Sequence, residues 1–260
     1  VNRRAAIALV PIFLLADYSA RVLKDVTFVP RPYDVDPRVR NLDPQTDLSF
    51  PSAAVTDASA FWLFLAAYFR RAWLWVLAGA AIALLALARM FLGVHYPTDV
   101  AGGALLGALF VLLFLRVDFQ RLAIGVLSRG WPVLLLAVPP LLAAVHLTGE
   151  TATDMGVLTG LVLAVAVEER YFPFATRGPL WKQAAKIVLG LGLALALRIG
   201  LKAVLPEEAG ATFVRYAIIG LWVGAAAPWL FIRIGLAERE RPAAVGPATA
   251  PHLPAVVGPG

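Results

Sequence analysis

Cysteine is absent from all 260 residues, so disulfides and thiolate metal sites are excluded, and the redox compartment is left open. Charge is nearly as scarce. Asp, Glu, Lys and Arg make up 15% of the chain against 60% apolar residues, and mean hydropathy is +0.77. A soluble domain carries about a quarter charged residues, so this chain is too apolar to be one. The long apolar runs show no polar–apolar alternation, which excludes a transmembrane β-barrel.

In their place stand eight continuous apolar stretches, at residues 5–23, 55–69, 72–87, 100–115, 133–147, 155–167, 187–205 and 213–234. A helix crosses the hydrocarbon core in about 20 residues, and flanking residues bring the shorter stretches to that length. The expected fold is all-α: a polytopic transmembrane helical bundle of about eight crossing helices. Net charge is +6, but the basic residues sit at the ends of stretches, so no nucleic-acid partner is expected. Arg70-Arg71, then Arg116, Arg121 and Arg129, then Arg170, Arg177, Lys182 and Lys186, then Arg233, Arg239 and Arg241 fall in alternate connections. The connections between them, 148–154 and 206–212, hold only acidic charges. The positive-inside rule then places Arg3-Arg4 and the C-terminus in the cytoplasm of a multi-pass plasma-membrane protein. It also puts the polar clusters described next on the extracytoplasmic face.

The first apolar run leads straight into Asp17, Arg21 and Lys24 with no small-residue cleavage pattern, so a signal peptide is not expected. Three sections are expected: a core over 1–118, a further helical section over 119–236, and a Pro-, Gly- and Ala-rich disordered tail over 237–260. An amphipathic connector over 116–129 is expected along the inner surface. Gly102, Gly103 and Gly107 give their helix a small-residue face suited to close packing.

Three polar clusters interrupt the apolar sequence between Lys24 and Asp99. In the first, Pro30 and Pro32 bracket Arg31 and stiffen an extended segment that can return Arg31 toward Lys24. The planar Arg fork gives a tetrahedral oxyanion two bonds, and Lys adds a compact charge; the plain alternative is two snorkelling interfacial cations. In the second, Pro51-Ser52-Ala53-Ala54 opens an apolar run. A serine there can cap a helix whose first N–H groups face an anion, or simply cap it. The third, Arg89, His95 and Asp99, is the most specific. Pro97 favours a helix start, which puts Asp99 where its carboxylate can take one imidazole nitrogen and leave the other as a nucleophile.

K-x6-R-P over 24–32, P-S at Pro51-Ser52 and R-x5-H-x3-D over 89–99 together resemble the three-part signature of the type 2 phosphatidic acid phosphatase, or lipid phosphate phosphatase, family. That family shares its site with vanadium haloperoxidases, and the resemblance covers about residues 5–115. It implies that Lys24, Arg31 and Arg89 bind phosphate with Ser52 and the Ala53 backbone N–H. It implies further that His95 attacks phosphorus to give a phosphohistidine while Asp99 orients it. The implied protein is a metal-independent hydrolase with no cofactor. Its implied substrate is a lipid phosphate, such as phosphatidic acid, phosphatidylglycerol phosphate or an isoprenyl (pyro)phosphate.

The chain departs from the family pattern at Ala54, where a histidine normally protonates the leaving alkoxide, and more mildly at Ala88, where serine is usual. Loss of a general acid costs about 10² to 10⁴ in rate, while phosphate binding survives. Either the chain is a natural inactive relative or Ala54 is a substrate-trapping substitution. Two more helices usually precede the one carrying Lys24; with a chain opening at Val1, the resemblance predicts residues missing at the N-terminus. The rival readings are a non-catalytic lipid-phosphate binder, a haloperoxidase and a transporter. The second is disfavoured because that branch is typically soluble. The third is disfavoured because no repeat of broken helices is visible. Beyond the core, Arg198 and Lys202 share a helix face; an ion pair for Arg198 and snorkelling by Lys202 are expected, with a second anionic-lipid contact as the alternative.

Overall fold

A computed structural model describes residues 3–116, 132–175 and 178–239. The helices are α1 (Arg3–Thr27), α2 (Pro32–Val35), α3 (Ala53–Phe69), α4 (Ala72–Phe91), α5 (Pro97–Arg116), α6 (Pro132–Val145), α7 (Gly149–Tyr171), α8 (Leu180–Val204) and α9 (Ala209–Arg233). The protein is an all-α membrane bundle. Each apolar stretch falls on its own helix, because in lipid only a helix satisfies every backbone N–H and C=O within one segment. By length and composition, α4, α5, α8, α9 and the Gly149–Glu168 part of α7 can cross a membrane, whereas α3 and the Leu136–Val145 part of α6 are shorter apolar helices. Large apolar side chains point outward along α4 (Trp73, Val76, Leu84) and α8 (Val188, Leu191, Ile199), where lipid tails can cover them.

Helix α1 is the centre of the bundle. One of its faces sets Ile12 and Ala16 against Ala60 and Phe64 of α3 and Val111 of α5. The other sets Leu14 and Tyr18 against Ala143 of α6 and Met155 and Leu158 of α7. Lipid tails are as apolar as leucine, so such contacts rest on close packing rather than on escape from water. Two glycine seams supply it. A Cβ on Gly103 of α5 would lie 2.5 Å from the Ser52 carbonyl, and one on Gly156 of α7 would lie 2.5 Å from the Phe213 carbonyl. The first seam is the small-residue face expected from sequence. The second, with Gly160 one turn on against Ala217, was not anticipated, although Gly-x3-Gly is legible there.

A polar centre joins the same helices. Arg21 Nε lies 2.7 Å from Asp17 Oδ2 one turn away and 4.0 Å from Asp154 Oδ2 of α7. Asp57 of α3 adds a third carboxylate to this neighbourhood. Buried charges in a membrane persist where they find partners inside the bundle.

Within the polar segment over 25–50, α1 runs on to Thr27 and α2 makes one turn. Two expectations are corrected. The tail does not lose order at Ala237: that residue is buried, and Glu238–Arg239 pairs antiparallel with Phe174–Ala175; residues 240–260 lie outside the described residues. Arg198 makes no ion pair among the described residues. Its Nε donates to the Tyr216 hydroxyl at 3.3 Å, and it is Lys202 that pairs, with Glu207 at 2.9 Å. The expected connector over 117–129 also lies outside the described residues.

Candidate active site

Four helix ends meet on one side of the bundle: the C-termini of α1 and α4 and the N-termini of α3 and α5. Lys24 stands in the last turn of α1 and is only 3% exposed. Arg31, at 2%, precedes α2 in an extended conformation set by its flanking prolines. Its Nη1 donates to the Val94 carbonyl at 2.8 Å and its Nε to the Asp47 carbonyl at 2.8 Å, while Nη2 binds the Asp47 carboxylate. Lys24 Nζ donates to the Leu48 carbonyl and lies 3.1 Å from Asp47 Oδ2. One carboxylate therefore bridges both cations. Burial raises the pKa of Asp47, but Lys24 and Arg31 outweigh it and hold the group below the usual carboxylate range.

The third cluster is assembled by a turn. Gly93 has φ +75°, and a Cβ there would sit 2.5 Å from the Arg40 carbonyl, so glycine lets the chain leave α4 just after Arg89 and return toward α5. Pro97 opens α5 and places Asp99 in its first turn. Asp99 Oδ2 accepts from the Tyr96 N–H at 2.8 Å and from Ser49 Oγ, and lies 3.4 Å from His95 Nδ1. Ser49 Oγ is also 3.4 Å from that nitrogen. Nδ1 thus faces the carboxylate and leaves Nε2 as the other ring nitrogen. Burial depresses the pKa of His95; its hydrogen bond to the Asp99 carboxylate opposes this, and the charges of Lys24 and Arg31 push it down further. The net effect keeps the imidazole neutral, the form that carries a lone pair.

Ser52 occupies the residue before α3 with extended φ and ψ, but its side chain forms no capping bond. Its N–H instead donates to the Asp99 carbonyl at 3.0 Å. Ala53 and Ala54 then begin the helix, where the first-turn N–H groups have no intrahelical acceptor. Arg89 Nη1 donates to Asp43 Oδ2 at 3.0 Å. Two buried donors at this site, Ser52 Oγ and Arg89 Nε, have no hydrogen-bond partner among the described residues. Buried donors without partners are rare, and an oxyanion supplies the acceptors such donors lack.

The structure therefore brings Lys24, Arg31, Ser52, Ala53, His95 and Asp99 together, with Arg89 reaching the same loop. Sequence reading missed Asp43, Asp47 and Ser49. The usable signal was charge balance: buried cations need partners, and the loop offers Asp36, Asp43 and Asp47.

Known proteins match in the same places. The profile of the PAP2 superfamily matches residues 5–123, and that of the PAP2 superfamily phosphatase transmembrane extension matches residues 152–239. Undecaprenyl-diphosphatase of Sulfolobus acidocaldarius is 32% identical over 120 residues, covering 45% of this chain and 57% of its own. The bacitracin transport permease protein BcrC of Bacillus licheniformis is 33% identical over 113 residues, covering 43% and 54%. Decaprenylphosphoryl-5-phosphoribose phosphatase of Mycobacterium tuberculosis is 44% identical over 68 residues, covering 26% and 36%. The chain spans little more than half the length of the first two of these relatives. No solved structure matches. With the signature clusters inside the first matched segment and the second segment covering most of the remaining helices, the chain carries a PAP2 superfamily domain followed by the transmembrane extension found with it.

Proposed function

We propose that the protein acts on a lipid-linked phosphate, and best on a lipid diphosphate, through nucleophilic attack by His95. The observation that carries this reading is the neutral, buried His95 with Nδ1 turned to Asp99 beside Lys24 and Arg31. Lys24, Arg31, Arg89, Ser52 Oγ and the Ala53 N–H hold the phosphoryl oxygens. Nε2 attacks phosphorus, the bond to the leaving oxygen breaks, and that oxygen keeps the electron pair. Water then attacks the phosphohistidine: a P–O bond replaces the P–N bond, Nε2 takes back the electron pair, a proton of the water passes to solvent, and free His95 returns. Asp99 orients the ring and stabilises the positive charge it gains.

Ala54 decides the substrate. A lipid alkoxide is a strong base and leaves poorly without a proton, whereas the phosphate expelled from a diphosphate leaves without one. Two similar proteins carry names that specify polyprenyl-linked substrates, undecaprenyl diphosphate and decaprenylphosphoryl-5-phosphoribose, which favours a polyprenyl chain. The charge pattern of the connections supports a site on the extracytoplasmic face and a cytoplasmic C-terminus; the chain of the substrate then stays in lipid while its headgroup enters. The second reading, a non-catalytic lipid-phosphate binder, is favoured by Ala54 alone.

The deciding experiment assays the protein and its Ala54→His variant against a lipid phosphomonoester, a lipid diphosphate and an aryl phosphate, with His95→Ala as the blank. The expected result is measurable diphosphate and aryl phosphate turnover as the chain stands, and a gain of about 10² or more on the monoester with Ala54→His. Oxyanion binding with no turnover in either version would establish the binder.

A further inference from the structure

All three cations assigned to phosphate are held by carboxylates of one short loop. Asp47 bridges Lys24 and Arg31, and Asp43 pairs with Arg89. The loop is pinned by its backbone: Leu42 N–H donates to the Leu92 carbonyl at 3.3 Å and Ser49 N–H to the Val29 carbonyl at 2.8 Å. Between them Gln45 N–H meets the Tyr33 hydroxyl at 3.3 Å. The carboxylates themselves are free to turn outward, with side chains 41% exposed at Asp47 and 39% at Asp43. Arg31 also keeps its bond to the Asp47 backbone carbonyl, so the side chain can swing away without the loop unfolding.

Charge arithmetic gives the arrangement a meaning. Lys24, Arg31 and Arg89 balance Asp43, Asp47 and Asp99 around a neutral His95, so the closed site is neutral. With Asp43 and Asp47 turned out, the same site carries two net positive charges, which matches a phosphate dianion. We propose that Asp43 and Asp47 form an internal counter-anion that weakens the hold of the phosphate site on free oxyanions several-fold, and that a lipid-linked phosphate displaces them. Building on the phosphatase reading, this assigns that site a selectivity. Apparent affinity for any oxyanion is reduced by the fraction of sites in the open state. A substrate anchored in the bilayer is delivered at high effective concentration and overcomes the closure, whereas inorganic phosphate, including the product, is held several-fold more weakly.

The test measures equilibrium binding of orthovanadate and inorganic phosphate to the detergent-solubilised chain, to Asp47→Asn, Asp43→Asn and the double variant, and to Arg89→Ala. Thermal midpoints without oxyanion identify any variant that has lost its fold, and the two single variants report independently. The proposal expects each Asn variant to bind both oxyanions about three- to tenfold more tightly, with the double variant tighter still. If Asp47 and Asp43 serve only to aim the cations, the same variants bind more weakly; that result, or no change, overturns the proposal and leaves the phosphatase reading standing. If no version binds either oxyanion, both fall. Binding that survives in Arg89→Ala at full strength would place the oxyanion elsewhere and overturn the gate at Asp43.

Discussion

The backbone N–H of Ser52 donates to the carbonyl of Asp99 at 3.0 Å, so the start of α3 and the first turn of α5 are fixed to each other by main chain. Side chains are not what sets their separation. The seam behind the contact is Gly103, which has no room for a Cβ against Ser52.

Gly103→Ala is therefore expected to force α3 and α5 apart, lowering stability by about 1–3 kcal/mol, the usual cost of overpacking, and weakening vanadate binding with it. Gly79 of α4, where a Cβ would meet nothing within 4 Å, is the control: Gly79→Ala should be neutral or gain up to about 1 kcal/mol from helix propensity. Unfolding in detergent, read alongside binding, checks both.

Asp99→Asn keeps the shape of its partner contacts but loses the charge that orients and supports His95. Turnover of a diphosphate or aryl phosphate should fall by about 10² to 10⁴, while oxyanion binding persists because the three cations remain. Ser49→Ala, which removes a donor to Asp99 without touching phosphate, should cost about 10-fold or more. Steady-state kinetics and binding on the same preparations separate the two effects.

The depressed pKa of His95 has a definite sign. An unfolded histidine titrates near about 6.5, and the folded one lower. Above that range His95 is neutral in both states and costs nothing. As pH falls through it, the unfolded chain takes a proton that the folded chain resists, and stability declines toward the lower folded value. The acid limb of kcat/KM should likewise lie below the ordinary histidine range. Asp47 acts in a separate, more acidic window: its stabilisation is present above the ordinary carboxylate pKa and is lost as pH falls through its depressed folded value. Melting series for the chain and for His95→Gln should differ only in the first window.

Among the described residues, Arg21 is the cation that meets Asp17, Asp57 and Asp154. Arg21→Met leaves those carboxylates without it and should destabilise the bundle by about 3 kcal/mol, the cost of breaking a buried pair from one side. Asp57→Asn, which exchanges a buried carboxyl for a neutral group of the same shape, should be tolerated. Denaturation in detergent at fixed pH measures the contrast.

The helices were legible because long apolar runs leave lipid-exposed backbone no other structure, and His95 and Asp99 were legible because Pro97 fixes where α5 begins. Lys24 and Arg31 were legible through the prolines that constrain Arg31. Asp43, Asp47 and Ser49 were not, because their contacts depend on the path of an aperiodic loop. Asp154 was hidden for a related reason. Its partner Arg21 lies far back in the chain, and nothing local to α7 marks a residue that closes a distant charge cluster. The order of residues 237–239 escaped because composition describes a segment alone, whereas Glu238–Arg239 is held by pairing with Phe174–Ala175.

Because α1 packs on α3 and α5 with one face and on α6 and α7 with the other, the order of synthesis imposes a wait. Helix α1 enters the bilayer carrying Asp17 and Arg21 while α7, which brings Asp154, has yet to be made. During that interval the two residues have each other, one turn apart and in contact at 2.7 Å, so the charge on α1 is already paired. When α7 arrives, it fastens onto the helix made before it. A chain cut between the two PAP2 segments would leave α1 in permanent waiting, its Arg21 side facing lipid.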